Sequence, residues 1–95
     1  MGSLSLLSKV QQSPGVLFNQ VDDDLVMMDV KSGNYFGINP VGAEIWNKMQ
    51  EPITVQEIIN QLLAEYEIDE ATCRSETLVF IQQTFERGFL KVLDE

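Results

Sequence analysis

The sequence predicts an α+β fold, in which a three-stranded antiparallel sheet is followed by three helices in a winged-helix-like order. The first observation is the period-2 alternation of apolar and polar residues before Asn39, which is typical of strands. The second is the spacing of apolar residues by three and four after that point, which is typical of helices. The third is the Asn39-Pro40 pair at the boundary, because Asn is a good N-cap and Pro suits the first helical position. The last strand therefore ends where the first helix begins.

The strands are predicted at residues 16–21, 25–30 and 35–38. Asp22, Asp23 and Asp24 separate the first two strands, because adjacent like charges favour an exposed turn. These carboxylates lack the glycine turn and the terminal glutamate of a calcium loop, so a solvated turn is preferred to a metal site. Gly33 and Asn34 lie between the second and third strands, and both tolerate the positive φ that a tight hairpin needs.

The helices are predicted to run from Pro40 to before Pro52, over residues 55–64 and over residues 70–87. Thr54 and Glu57 have the spacing of a capping box, in which each side chain accepts from the other residue's backbone amide at the start of the second helix. Asp69 is the predicted N-cap of the third helix. Gly88 lies where a helix end often needs positive φ.

The chain length and hydrophobic content predict one domain and no membrane span. With 95 residues, the chain suits a single domain, predicted over residues 16–93. Residues 1–15 are an N-terminal extension that is either disordered or adds a strand. The residues are 44% hydrophobic, yet no apolar run is long enough to cross a bilayer.

The sequence offers little for catalysis. Cys73 is the single cysteine and there is no histidine, which excludes Cys/His zinc sites and histidine-based acid–base or nucleophile pairs within the chain. An intrachain disulfide is excluded too, which fits a reducing, cytoplasmic location. We predict no enzyme activity, no metal and no cofactor.

The charge balance disfavours nucleic acid as a partner. Six Lys and Arg residues stand against fifteen Asp and Glu residues, for a net charge of −9. A DNA-binding module needs a basic face to neutralise phosphates, and too few cations are present to build one. The acidity either steers a basic partner or maintains solubility.

The third helix has two stripes at helical spacing. The stripe assigned to the core contains Arg74, Thr77, Leu78, Ile81 and Phe85. The neighbouring stripe contains Cys73, Glu76, Phe80, Gln83 and Arg87. This second stripe mixes an aromatic ring with polar groups, which suits the half-exposed wall of a peptide groove. The alternative is that Phe80 only widens the core stripe.

The third predicted strand contains Tyr35, Phe36, Gly37 and Ile38. If its edge is open, its unpaired N–H and C=O groups can bind an extended peptide by strand addition. Gly37 then allows a close backbone approach, although a glycine in a strand also marks bulges. Phe36 and Ile38 share one face and Tyr35 and Gly37 the other, but the period does not say which face is inward. An open edge also permits a homodimer through paired strands.

The passage from the second strand into the first helix resembles the RiPP recognition element, the leader-peptide-binding domain of ribosomally made peptide natural products. The residues that carry the resemblance, in a D-x3-G-x-Y-x2-hydrophobic-N-x2-G-x2-I-W arrangement, are Asp29, Gly33, Tyr35, Ile38, Asn39, Gly42, Ile45 and Trp46. It extends over residues 17–90, since the family's second and third helices follow in order. Stand-alone members include pyrroloquinoline-quinone biosynthesis protein D and the leader-binding protein of lasso-peptide clusters, and the turn is more similar to the lasso type.

The resemblance implies a non-catalytic adaptor, or peptide chaperone, that binds a precursor's leader by strand addition and delivers it to a separate maturation enzyme. In lasso-peptide clusters that enzyme is a cysteine protease with a partner cyclase, and in the quinone pathway it is a radical S-adenosylmethionine enzyme. The alternative function is a winged-helix interaction or regulatory module with another protein partner.

Overall fold

The computed structural model describes residues 4–22 and 24–93, and these form two three-stranded antiparallel sheets and three helices. The elements in chain order are β1 (Lys9–Gln12), β2 (Leu17–Val21), β3 (Asp24–Asp29), β4 (Asn34–Ile38), α1 (Pro40–Lys48), β5 (Ile53–Thr54), α2 (Val55–Glu65), α3 (Glu70–Glu86) and β6 (Leu90–Leu93). The predicted α+β class is confirmed.

The predicted meander is the sheet with strand order β2-β3-β4. Its hairpin between β3 and β4 is closed by a bond of 2.7 Å from the Gly33 amide to the Asp29 carbonyl, and Gly33 has a φ of 76°. Asp22 also has a positive φ, 56°, at the turn after β2. Asp23, the middle residue of the predicted acidic turn, lies outside the described residues, and Asp24 begins β3.

The second sheet, with strand order β5-β1-β6, was not predicted. Its middle strand comes from residues 9–12, within the N-terminal extension for which disorder and an added strand were the two alternatives. Val10 in this strand is fully buried and lies opposite Val92 of β6 and Ile53 of β5. The sheet thus ties both ends of the described chain to the start of α2.

All three predicted helix starts are confirmed by their caps. The Asn39 side chain accepts from the Gly42 amide at 2.7 Å at the start of α1. Thr54 and Glu57 form the predicted capping box before α2, with bonds of 3.1 and 3.0 Å. Asp69 accepts from the amide of the residue three positions on, at 3.0 Å, at the start of α3.

The core lies between the meander and the helices. Leu25 and Met27 contribute the inner face of β3, and α1 adds Ile45 and Trp46, all at most 1% exposed. The Phe18 ring of β2 meets the Trp46 indole edge-on, with 5.5 Å between the ring centroids. Among the described helices, none has both the length and the apolar character that a membrane crossing needs.

Candidate functional site

A groove of about 350 Å3 opens between the start of α1 and the middle of α3. It is lined by Asn39, Val41, Gly42, Ile45, Ser75, Glu76, Val79, Phe80 and Gln83. Four of these side chains are aliphatic or aromatic, while amide, hydroxyl and carboxylate groups provide the polar part. Such a mixture suits a peptide that presents an apolar side chain and backbone hydrogen-bonding groups.

Gly42 brings the walls of the groove together. A Cβ atom at this position would lie 2.6 Å from Cγ2 of Ile38 and 3.1 Å from Cε1 of Phe80. A side chain here would therefore force the Ile38 side chain to shift and the Phe80 ring to give way by a few tenths of an ångström. A glycine near the start of a helix is the sequence signal that marks such a close approach.

Glu76, Phe80, Gln83 and Arg87 follow one face of α3, as predicted for the second stripe. The first three line the groove. Arg87 continues the same face beyond the groove, and its guanidinium carbon lies 4.1 Å from the centroid of the Phe36 ring on β4. Phe80 is partly buried, and the other three residues are exposed.

The predicted position of Cys73 on this half-exposed stripe is wrong, because the residue is only 2% exposed. The assignment of Phe85 to the core is also wrong, since it is 36% exposed. The buried face of α3 instead consists of Cys73, Thr77, Ile81 and Thr84. Thr77 and Ile81 are therefore buried as predicted. Thr84 is buried in place of the larger Phe85, so apolar spacing alone predicted a buried face that is rotated around the helix.

The buried hydroxyl of Thr84 is compatible with this position because it bonds within its own helix. Its Oγ1 donates toward the carbonyl oxygens of Phe80, at 2.9 Å, and Ile81, at 3.0 Å. A threonine satisfied in this way can face a core without leaving an unpaired polar group.

β4 has an inner and an outer face. Phe36 and Ile38 are partly buried against the helices, and the Phe36 ring also meets the Phe89 ring edge-on with centroids 6.1 Å apart. Tyr35 is 70% exposed on the outer face, and a Cβ atom at Gly37 would meet nothing within 4 Å. The structure thus shows that Phe36 and Ile38 face inward and that Tyr35 and Gly37 face outward, which the period-2 pattern alone did not determine.

Among the described strands, β4 pairs only with β3, so its other edge is open. Alternate residues of an antiparallel edge strand direct their N–H and C=O groups away from the paired neighbour. These groups lie beside α3, because Arg87 contacts Phe36 and Phe80 lies against Gly42 just after β4. The open edge and the exposed stripe of α3 therefore flank one elongated surface.

Six residues of the groove were missed as site residues by the sequence analysis. They are Asn39, Val41, Gly42 and Ile45 from the start of α1, and Ser75 and Val79 from α3. The contribution of α1 depends on its angle to α3, which is a tertiary property. Ser75 and Val79 lie next to the predicted stripe, and the same rotation that buries Cys73 turns them toward the groove.

Comparisons with known proteins identify one matching family and two similar solved structures. The family model of coenzyme PQQ synthesis protein D (PqqD) matches residues 24–90. A solved structure described as TbiB1 in complex with the TbiA(beta) leader peptide is similar over 90% of this chain and 99% of that chain, with 27% identity and a TM-score of 0.75.

A second solved structure, lasso peptide synthetase B1 complexed with the leader peptide, is similar over 86% of this chain and 96% of that chain. Its identity is 21% and its TM-score is 0.73, a likeness that concerns the fold alone. No curated protein sequence matches the chain.

Proposed function

Since the chain belongs to the family of coenzyme PQQ synthesis protein D (PqqD), we propose that it is an adaptor that binds the leader of a ribosomally made precursor peptide. This membership confirms the predicted resemblance to RiPP recognition elements. The observation that carries the proposal is the 27% identity, over nearly the full length of both chains, to a protein solved with a leader peptide.

The leader binds as an additional strand on the open edge of β4. Its backbone hydrogen-bonds with the outward N–H and C=O groups of residues 35–38. Main-chain hydrogen bonds of this kind give affinity without requiring a particular side chain. Antiparallel addition continues the pattern of the sheet and is the slightly more stable pairing. The leader then runs from the Ile38 end of β4 toward Asn34.

The face of α3 that contains Glu76, Phe80, Gln83 and Arg87 forms the second wall. Inward-facing side chains of the leader enter the groove, where Phe80 supplies apolar contact and Gln83 supplies amide hydrogen bonds. Cys73 has no part in this contact because it is buried. Tyr35 and Gly37 contribute through their backbone, since their side-chain positions face away from the helices.

The adaptor has no catalytic role of its own and acts by delivering the bound precursor to a separate maturation enzyme. Binding the leader raises the effective concentration of the attached core peptide at that enzyme. A cysteine protease with its partner cyclase is the preferred enzyme, because the turn from Gly33 to Pro40 is more similar to the lasso-peptide type of the family than to the quinone-cofactor type. A radical S-adenosylmethionine enzyme is the counterpart in quinone-cofactor synthesis.

A winged-helix regulatory module is the less favoured alternative. Its usual ligand, DNA, is disfavoured by the net charge of −9. Pairing of two chains through β4 would occupy the edge that the leader uses, so a homodimer of this kind would compete with leader binding.

Titration calorimetry tests the proposal. The titrant is the synthetic leader of a short precursor encoded beside the gene for this chain, and a scrambled peptide of the same composition is the control. We expect saturable one-to-one binding of the leader alone, with the peptide recovered chemically unchanged. Equal heats from leader and scrambled peptide, or cleavage of the precursor by the chain alone, would contradict the adaptor function.

A further inference from the structure

Two charged residues bracket the surface on which the leader is proposed to bind. Glu76 is the single charged residue among those that line the groove between α1 and α3 in the described part of the chain. Arg87 stands at the other end of the same helix face, held against Phe36. On the premise of the proposed function, we infer that Glu76 and Arg87 select a leader with a basic residue followed by an acidic residue, and so fix its register.

The charge at the Glu76 end is negative despite the nearby start of α1. A helix N-terminus has a partial charge of roughly +0.5, which is smaller than the full negative charge of a carboxylate. Part of that helix end is also already used, because Asn39 accepts from the Gly42 amide at 2.7 Å. The neighbouring acid on α1, Glu44, does not line the groove; it lies 3.9 Å from the Lys48 ammonium, which also pairs with Glu65 at 3.0 Å. Glu76 is therefore the full charge that a leader side chain meets among the residues that line the groove.

The charge at the opposite end is positive. Arg87 lines a small depression together with one acid, Asp29, and one further base, Lys31. The Phe36 ring covers one face of the Arg87 guanidinium. The N–H groups lie around the rim of that planar group and can still donate to a carboxylate. Arg87 is thus placed to pair with an acidic side chain on the inner face of an added strand.

The spacing of the two charges sets the spacing expected in the leader. Glu76 and Arg87 are eleven positions apart, which is ~16 Å along an α-helix at 1.5 Å per residue. An extended strand rises about 3.3 Å per residue, and only alternate side chains face the same side. The two leader residues are therefore separated by about four or six positions, or roughly 13 to 20 Å.

The direction follows from antiparallel pairing with β4. Phe80, one turn after Glu76, lies against Gly42 at the end of β4, whereas Arg87 lies against Phe36 in its middle. A strand antiparallel to β4 enters at the Ile38 end and leaves toward Asn34. The basic residue that pairs with Glu76 is therefore on the amino-terminal side of the acidic residue that pairs with Arg87.

Selection from a displayed library of random peptides of about twelve residues, roughly 40 Å when extended, tests the inference. The bait is the full chain, compared with Glu76→Lys and Arg87→Glu. Peptides that bind the wild-type chain are expected to have Lys or Arg four or six positions before Asp or Glu. The preference at the first position should reverse for Glu76→Lys, and that at the second position should reverse for Arg87→Glu.

Matched controls separate local pairing from net charge. Glu67→Lys and Lys91→Glu make the same charge changes at exposed sites that do not line the groove, and they should leave both preferences unchanged. An Arg87→Gln variant removes the charge while keeping a side chain that can pack on Phe36. Thermal melts of each bait establish that it is folded before selection.

Affinity measurements on a selected peptide complete the test. Exposed ion pairs contribute up to about 1 kcal/mol, which is about fivefold in affinity. Replacing the peptide's basic residue by Glu should weaken binding to the wild-type chain about fivefold. The same Glu-containing peptide should regain that affinity when it binds the Glu76→Lys variant. Selected peptides that protect β4 from hydrogen exchange but show no charge preference would overturn the inference and leave the adaptor function standing. Selected peptides that bind elsewhere, or an absence of any selected peptide, would overturn both.

Discussion

The guanidinium carbon of Arg87 lies 4.1 Å from the centroid of the Phe36 ring, which joins the end of α3 to the inner face of β4. The Phe36 ring also meets the Phe89 ring edge-on, so this corner, formed by Phe36, Arg87 and Phe89, is packed on both sides of the Phe36 ring. Together with the contact of Phe80 with Gly42, the corner fixes α3 beside the open edge of β4. A leader added to that edge would therefore meet a preformed wall, which limits the ordering cost of binding.

The change Phe80→Ala is expected to weaken leader binding by about 1 kcal/mol or more, because it removes the aromatic contact in the groove. Ile81→Ala is the matched control, since Ile81 is adjacent and fully buried. That change should cost about 2 to 5 kcal/mol of folding stability while the folded fraction binds with unchanged affinity. Calorimetric titration and chemical denaturation of both variants provide the two measurements. An unchanged affinity together with a large loss of stability for Phe80→Ala would assign Phe80 to the core.

Alanine at Gly42 and at Gly37 should have opposite effects on stability. At Gly42 the new Cβ would lie 2.6 Å from Ile38. Alanine improves helix propensity by about 1 kcal/mol, but overpacking of this kind costs about 1 to 3 kcal/mol. A net loss of stability is therefore expected, together with weaker leader binding as the Ile38 and Phe80 side chains shift. Gly37→Ala, with nothing within 4 Å of the new Cβ, should be neutral or slightly stabilising. Equal stabilities of the two variants, measured by urea unfolding, would contradict the close approach at Gly42.

The change Gly37→Pro is expected to abolish leader binding, because it removes a backbone donor and places a ring in the path of an added strand. Asn19→Pro is the matched control, since Asn19 lies opposite Val26 on the other edge of the same sheet and in the same row as Gly37. Circular dichroism should establish that each variant is folded before its affinity is measured. Binding that survives at Gly37→Pro and disappears at Asn19→Pro would move the receiving edge to β2.

The meander and the three helices were predictable because their signals are local. Gly33, Asn39, the Thr54 to Glu57 box and Asp69 each act within four residues of the turn or cap that they form. The second sheet was not predictable in this way. Its central pairing joins Val10 to Val92, and no local pattern in two four-residue strands indicates so distant a partner.

The candidate site was predictable in part. Glu76, Phe80, Gln83 and Arg87 form one face at helical spacing, and the structure brings that face to the groove and to β4. Cys73 was misplaced because α3 buries Thr84 and leaves the larger Phe85 exposed, which apolar spacing does not indicate. The wall from α1 depends on the packing of two helices around Gly42, and that contact forms only in the folded chain.

Amide hydrogen exchange with and without the leader tests strand addition at β4 most directly, because the proposed contacts are backbone hydrogen bonds. Leader binding should slow exchange at residues 35–38 and at exposed positions of residues 76–87, with little change in β2. Protection of Leu17–Val21 with unchanged exchange at residues 35–38 would contradict the assignment of β4 as the receiving edge.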